Sequence, residues 1–182
     1  MSSALVLLSP GFEEIEAVTI IDLLRRGDIE VTVAGLQKEW VGGSHHIAIR
    51  PDVYYLNVNP NDFDWLILPG GQPGTNHLKE DSHVLQWVKQ RFGSEKKLAA
   101  ICAAPTVFAT AGIADGLKLT SYPSEREIFK NSRYLEESVV RDGNILTSRG
   151  VGTAIEFSLA LIADLKGKEK ADEVRRRILY RE

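Results

Sequence analysis

Short unbroken apolar runs alternate along the chain with stretches whose apolar positions recur every three or four residues. Buried strands of a parallel sheet produce the first pattern and helices laid against that sheet the second, so the order predicts α/β topology. Ala4 to Leu8 is the first expected strand, Glu13 to Arg26 the first helix, ended by Gly27, and Ile29 to Ala34 the second strand. Between Trp40 and Tyr55, His45 to Arg50 reads as a strand and Pro51-Asp52 as a turn, together an antiparallel excursion. Trp65 to Leu68 is apolar at every position, as a strand covered on both faces must be, and runs into Pro69-Gly70-Gly71. Ser82 to Phe92 is an expected helix with Ser82 as its N-cap, Lys97 to Ile101 a further buried strand, and Pro105 to Ala111 a short helix. Val139 to Leu146 reads as a hairpin turning at Asp142-Gly143, and helices are expected over about Gly152 to Lys166 and Lys168 to Arg177.

Composition narrows the class. The 182 residues carry no repeat, low-complexity segment or linker, and such a length suits one domain over 1–182 that folds without disulfide or metal. Its 22 basic residues are interspersed with 25 acidic ones, a formal net charge of −3, which leaves no footprint for nucleic acid. The run Arg175-Arg176-Arg177 lies beside Asp172 and Glu173 and reads as a solvated helix face. The apolar run Ala4 to Leu8 is too short for a membrane span or a signal segment, and one cysteine forms no internal disulfide. A reducing cytoplasm, away from membranes, is the expected setting.

Ligands of open α/β sheets bind beyond the carboxyl ends of the strands, and the candidate chemistry collects there. The first strand leads into Glu13, Glu14 and Glu16, the Trp65 strand into Gly70 and Gly71, and the Lys97 strand into Cys102, the one cysteine. Cys102 has two readings, inert packing or a nucleophile. Small residues at Ala100 and Ala104 leave room for a sharp strand-to-helix elbow, and Pro105 suits the first turn of a helix whose N-terminus would favour a thiolate. Acids suit the first turn of any helix, but Glu16 shares a face with Glu13, Ile20 and Leu23, while Glu14 falls nearer Asp22 on a more polar side. On the sheet-facing side Glu16 would be desolvated, its pKa would rise, and it would donate a proton near neutrality. Gly70 and Gly71 are either a plain turn or a place where backbone N–H groups hold an oxyanion. All four histidines precede Cys102, with no zinc-ligand spacing, and Ser148 to Thr153 matches no phosphate-binding glycine pattern.

Four motifs in this order and spacing, Gly11-Phe-Glu-Glu-Ile-Glu16, Leu68-Pro-Gly-Gly71, Ala99-Ala-Ile-Cys-Ala-Ala-Pro105 and Ser148-Arg-Gly-Val-Gly-Thr153, resemble the DJ-1/PfpI superfamily in its DJ-1 and YajL branch. The similarity spans nearly the whole chain. It implies a flavodoxin-like three-layer α/β/α sandwich with a mostly parallel sheet and a small antiparallel hairpin, a homodimer, and no cofactor or metal. It further implies Cys102 on a nucleophile elbow with protonated Glu16 as its partner, an oxyanion site at Gly70, Gly71 and Ala103, and Glu13 as a further acid of the pocket. The activities so implied act on small 2-oxoaldehydes or glycated thiols and amines: conversion of methylglyoxal to lactate, reversal of early glycation, and stress protection with holdase behaviour. Tyr122-Pro123 stands where some members carry His-Pro, which removes a Cys-His dyad and leaves Tyr122 as a pocket residue. Ala103 follows the cysteine where peptidase and amidotransferase relatives carry histidine, so neither activity is expected. His45 stands where a DJ-1 arginine of the partner subunit approaches the pocket. Three functions remain open: processing of reactive carbonyls, a redox-sensing chaperone in which Cys102 is oxidised, and a noncatalytic binding domain with an inert Cys102.

Overall fold

In the computed structural model, which describes residues 2–180, seven strands form one sheet between two helical layers. In chain order the first half is β1 (Ser3–Leu8), α1 (Glu14–Arg26), β2 (Glu30–Gly35), β3 (Val41–Gly42), β4 (Ala48–Ile49), β5 (Val53–Tyr54), β6 (Trp65–Leu68), α2 (Gly74–Glu80) and α3 (Ser82–Gly93). The second half is β7 (Lys97–Ile101), α4 (Pro105–Thr110), β8 (Lys118–Leu119), β9 (Arg133–Tyr134), β10 (Val139–Asp142), β11 (Ile145–Ser148), α5 (Ala154–Lys166) and α6 (Lys168–Arg177). The sheet order is β10-β11-β7-β6-β1-β2-β5, parallel throughout except for the β10-β11 hairpin.

Alternation along the strands divides the core. Ala4, Val6, Leu8, Trp65, Ile67, Ala99 and Ile101 pack with Ala17, Ile20 and Leu24 of α1 and Phe157 and Leu161 of α5. Leu5, Leu7, Leu66, Leu68, Leu98 and Ala100 point the other way, against Leu78, Val84, Val88, Val107 and Phe108 of α2, α3 and α4. Both faces are therefore apolar, which is why the strand sequences read as unbroken hydrophobic runs.

The expected sandwich and its small antiparallel excursion are both present, with local corrections. Glu13 caps α1 rather than opening it, Oε1 accepting from the Ile15 N–H at 3.4 Å. Asp81, not Ser82, caps α3, because Oδ1 accepts from the N–H groups of His83 and Val84 at 2.9 and 3.0 Å. The excursion is β3 against β4, and only Ala48 and Ile49 of the expected His45–Arg50 strand pair, since His46 turns at φ 68°. The second strand sits one residue later than expected, and the hairpin turns at Gly143-Asn144. A turn of 3-10 helix, Val151–Thr153, replaces the expected start of α5, and α4 stops at Thr110. Helix α2 escaped the periodicity reading because Gly74 and Pro73 disguise its first turn. The strands β5, β8 and β9 are two residues long, too short to show a period.

Arg91 is the unforeseen element of the core. Fully buried on α3, its guanidinium donates to the carbonyls of Phe63, Asp64 and Lys97 at 3.1, 2.9 and 2.7 Å and also to Pro60. It ties the β6 approach and the start of β7 to α3. Arg91→Leu would strand these carbonyls without donors, and we expect it to destabilise the fold by about 3–5 kcal/mol in urea unfolding. A loss below about 1 kcal/mol would show that the segments hold without it.

Candidate active site

The end of β7 is bent into an elbow. Cys102 adopts φ 64°, a left-handed conformation that costs a non-glycine residue about 1–2 kcal/mol. The bend is held on both sides, by the Cys102 N–H donating to Ser148 O at 3.0 Å and by the Tyr122 N–H donating to Cys102 O at 2.7 Å. Ala100 and Ala104 are completely buried beside it, and Pro105 opens α4 at once, so the small residues and the proline sit where the sequence asks for them.

Two glycines bring the other strand ends into reach. A Cβ on Gly70 would stand 2.6 Å from Cys102 Cβ and 2.9 Å from Glu16 Oε2, so any side chain there would part the thiol from the acid. Gly71, at φ 95°, would place a Cβ 2.3 Å from the Glu13 nitrogen. Glu16 is wholly buried on α1, with Oε2 accepting from the Gly70 N–H at 2.9 Å and Oε1 without a hydrogen-bond partner. Burial therefore raises its pKa from 4.5 to about 7, against the opposing help of Gly70 and the Cys102 side chain, and Glu13 adds repulsion.

The thiol departs from expectation. A helix of six residues follows it, and burial together with the Glu16 charge pushes its pKa up to about 12, although the N–H groups of Ala103 and Gly71 both favour the thiolate. Burial is the largest cause of both shifts, and above about 7 the pair carries a single negative charge and resists a second. With the proton on sulfur the charge rests on Glu16; with it on Glu16 the charge rests on sulfur, opposite Ala103 and Gly71.

Glu13, Gly70, Gly71, Ala103, Glu16 and Cys102 are thus brought together. His45 is not part of that group: it is exposed, and its Nδ1 lies 3.0 Å from Glu14 Oε2 and 3.5 Å from Glu13 Oε2. The hydrogen bond to Glu14 and then the charge of Glu13 raise its pKa. Glu14 is itself buried, contrary to its expected polar side, because the β3-β4 hairpin folds over that part of α1. Burial would raise the Glu14 pKa, but its own N–H, the His45 ring and the N–H groups of His45 and Ile47 hold it near about 2. Glu13, Glu14 and His45 offer ligand atoms within 4.8 Å of one another, the one set among the described residues with metal-ligand chemistry. Here they bind Ser44 and the hairpin backbone instead.

An open cleft of about 740 Å³ leads to the sulfur, lined among others by Glu13, Tyr122, Glu136, Arg149 and Gly150. Tyr122 is half exposed, its ring 3.4 Å from where a Gly150 Cβ would stand, and Cys102 Sγ lies 3.9 Å from the same point. Glycine at 150 keeps the approach to sulfur open. Sequence reading missed Glu136 and the side chain of Arg149, although the motif that contains Arg149 marked the place.

The DJ-1/PfpI family model matches residues 2–164. The chain belongs to the DJ-1/PfpI family. Protein dj-1beta of Drosophila melanogaster is 46% identical over 180 residues, covering 97% of this chain and 96% of that one. Its crystal structure superposes with a TM-score of 0.95 over 98% of each chain. Toxoplasma gondii DJ-1, in an oxidised form, gives 0.95 at 35% identity with both chains fully covered. A Caenorhabditis elegans relative named glutathione-independent glyoxalase DJR-1.2 is 36% identical over 94% of this chain and 93% of its own.

The coupled pair makes a prediction for this member of the family. Glu16→Gln leaves a single titrating group, so the pH profile of Cys102 alkylation should lose its inflection near about 7, where Glu16 ionises in the native chain. Without the carboxylate charge the thiol should titrate below about 12. Burial should still keep it above the ordinary ~8.5. Stability follows the same group. Because folding raises the Glu16 pKa from 4.5 to about 7, its contribution is full below 4.5 and is lost as pH rises through about 7. That loss is on the order of 3 kcal/mol. Urea midpoints of Glu16→Gln should therefore gain on wild type between about pH 5 and about pH 8, and a constant difference would contradict the assignment.

Proposed function

We propose that this chain processes small reactive carbonyls by cysteine chemistry without a cofactor, converting methylglyoxal to lactate or reversing early glycation of thiols and amines. The observation that carries this reading is Cys102 beside the buried Glu16 carboxyl, with the Ala103 and Gly71 N–H groups favouring the thiolate. Proton transfer from sulfur to the Glu16 carboxylate produces the nucleophile without a net change of charge. The thiolate adds to the aldehyde carbon, the carbonyl electrons move to oxygen, and Glu16 returns the proton there, giving a hemithioacetal. Gly71 and Ala103 N–H groups stabilise the developing oxyanion. Glu16 then removes the C1 proton to leave an enediol and delivers a proton to C2 as the C1 hydroxyl becomes a thioester carbonyl, and water cleaves that thioester to lactate and free thiol. A glyoxalase-named relative supports the substrate class.

The redox reading keeps a narrower basis. A half-buried thiol open to a cleft can be oxidised, Glu16 with its pKa raised to about 7 can offer the product a proton below that pH, and one similar structure is of an oxidised DJ-1. Suppression of client aggregation only after peroxide treatment, without turnover by the reduced protein, would favour it. A reducing cytoplasm suits either reading. Among the described residues no helix is long and apolar enough to cross a membrane.

Assembly as a homodimer is supported by an apolar face on α1. Ile15 and Val18 are exposed, beside Ile47 of the excursion, and Val18 lines a groove with Ile155, Ile178 and Leu179. A two-fold pairing would cover this face with its own copy. Val18→Asp should shift sedimentation from dimer to monomer, and a monomeric wild type would rule the assembly out.

Cys102→Ser keeps the size of the side chain while removing the nucleophile. Lactate formation should fall at least about a thousandfold with an unchanged circular dichroism spectrum. Retained turnover would refute the mechanism.

A further inference from the structure

Arg149 stands in the cleft without an anionic partner. Its backbone N–H donates to Thr153 Oγ1 at 3.2 Å, and Nη1 donates to the Glu136 carbonyl at 3.1 Å. The carboxylate of the same Glu136 is paired with Arg126 Nη1 at 2.7 Å. Among the described residues Arg149 forms no ion pair, and it is the one cation lining the cleft. Arg149 as a whole is half-buried, its hydrogen bond to Glu136 is exposed, and the guanidinium keeps most of its five donors for a ligand. Its neighbour Gly150 borders the sulfur, since a Cβ there would lie 3.9 Å from Cys102 Sγ. Gly152 and Thr153, which lead into α5, line the same wall, so the positive end of a helix of 13 residues adds to the field. Glu13 and the buried Glu16 lie toward the α1 side of the cleft, which gives the space an acidic side and a basic one.

We propose that Arg149 forms an anion subsite of this cleft, holding the carboxylate of a carbonyl substrate while Cys102 attacks its carbonyl carbon. The substrate class is then acidic: aldehydes or 2-oxoaldehydes that carry a carboxylate, and glycated amino acids rather than neutral methylglyoxal alone. A guanidinium and a carboxylate form two parallel hydrogen bonds, which fixes the orientation of the carbonyl relative to sulfur. Arg149 lies in the chain between Ser148, whose carbonyl holds the Cys102 N–H, and Gly150, which borders the sulfur, so a carboxylate bound there brings its carbonyl toward the thiol. The inference rests on Cys102 as the reactive thiol and extends the proposed function by naming what the far wall recognises.

Iodoacetate and iodoacetamide test it directly. In both reactions the Cys102 sulfur displaces iodide, forming the S–C bond as the C–I electron pair leaves with the halide, and the reagents differ in a carboxylate against an amide. The quantity read is the ratio of the two second-order rate constants, followed by intact mass, in wild type, Arg149→Gln and Arg149→Lys. The iodoacetamide rate normalises each variant for any change in the thiol itself. Wild type should show a ratio about tenfold above Arg149→Gln, with Arg149→Lys between them because charge remains while the bidentate geometry is lost. Equal ratios in wild type and Arg149→Gln would overturn the subsite, as would a Lys variant no better than Gln. Alkylation reads the thiol and not lactate, so a chain without glyoxalase turnover would still report on Arg149, and a failed subsite would leave the turnover assay unaffected.

Discussion

A wholly buried carboxyl beside a half-buried thiol is the constraint around which the site is built. A carboxylate and a thiolate side by side in a desolvated pocket repel each other, and removing both from water costs more than the few available N–H groups return. Above about 7 the pair therefore keeps one proton, because burial delays the ionisation of Glu16 to that point and the second charge is held off until about 12. Of the two Glu16 oxygens, Oε2 accepts from the Gly70 N–H and Oε1 has no partner.

The fold supplies this arrangement through three strand ends. β1 and β6 are neighbours, as are β6 and β7, so α1, the Gly70-Gly71 turn and the Cys102 elbow open on the same edge of the sheet. Contact at that edge is a matter of tenths of an ångström: a methyl group on Gly70 would collide with both the thiol residue and its acid. The strained elbow is fixed from outside by Ser148 and Tyr122, which tie β11 and the loop after β8 to Cys102. The geometry of the proposed site and the stability of its backbone thus rest on the same hydrogen bonds.

Much of this was legible in the chain. Apolar runs located the long strands because both faces of the sheet are covered, and the alanines around Cys102 announced the elbow because only small side chains fit there. Helical periodicity put Glu16 on the sheet-facing side correctly. The same reasoning failed for Glu14, since a solitary helix has no record of the hairpin that later folds over it and offers the His45 and Ile47 N–H groups. It failed for the thiol pKa because a helix dipole is visible in sequence, while burial and a neighbouring charge 86 residues upstream are tertiary facts. Arg91 and Arg149 show the limit again: one guanidinium is spent inside the core on carbonyls, the other is left open in the cleft, and nothing local distinguishes them.

The most direct test of the shared proton observes the carboxyl itself. Glu16 selectively labelled with carbon-13 at its carboxyl should show a chemical-shift titration centred near about 7 in the reduced protein. In Cys102→Ala the titration should move, because the partner that shares the proton is gone. A midpoint near 4.5 in the wild-type protein, the value of an ordinary glutamate, or a midpoint indifferent to the loss of the thiol, would contradict the account.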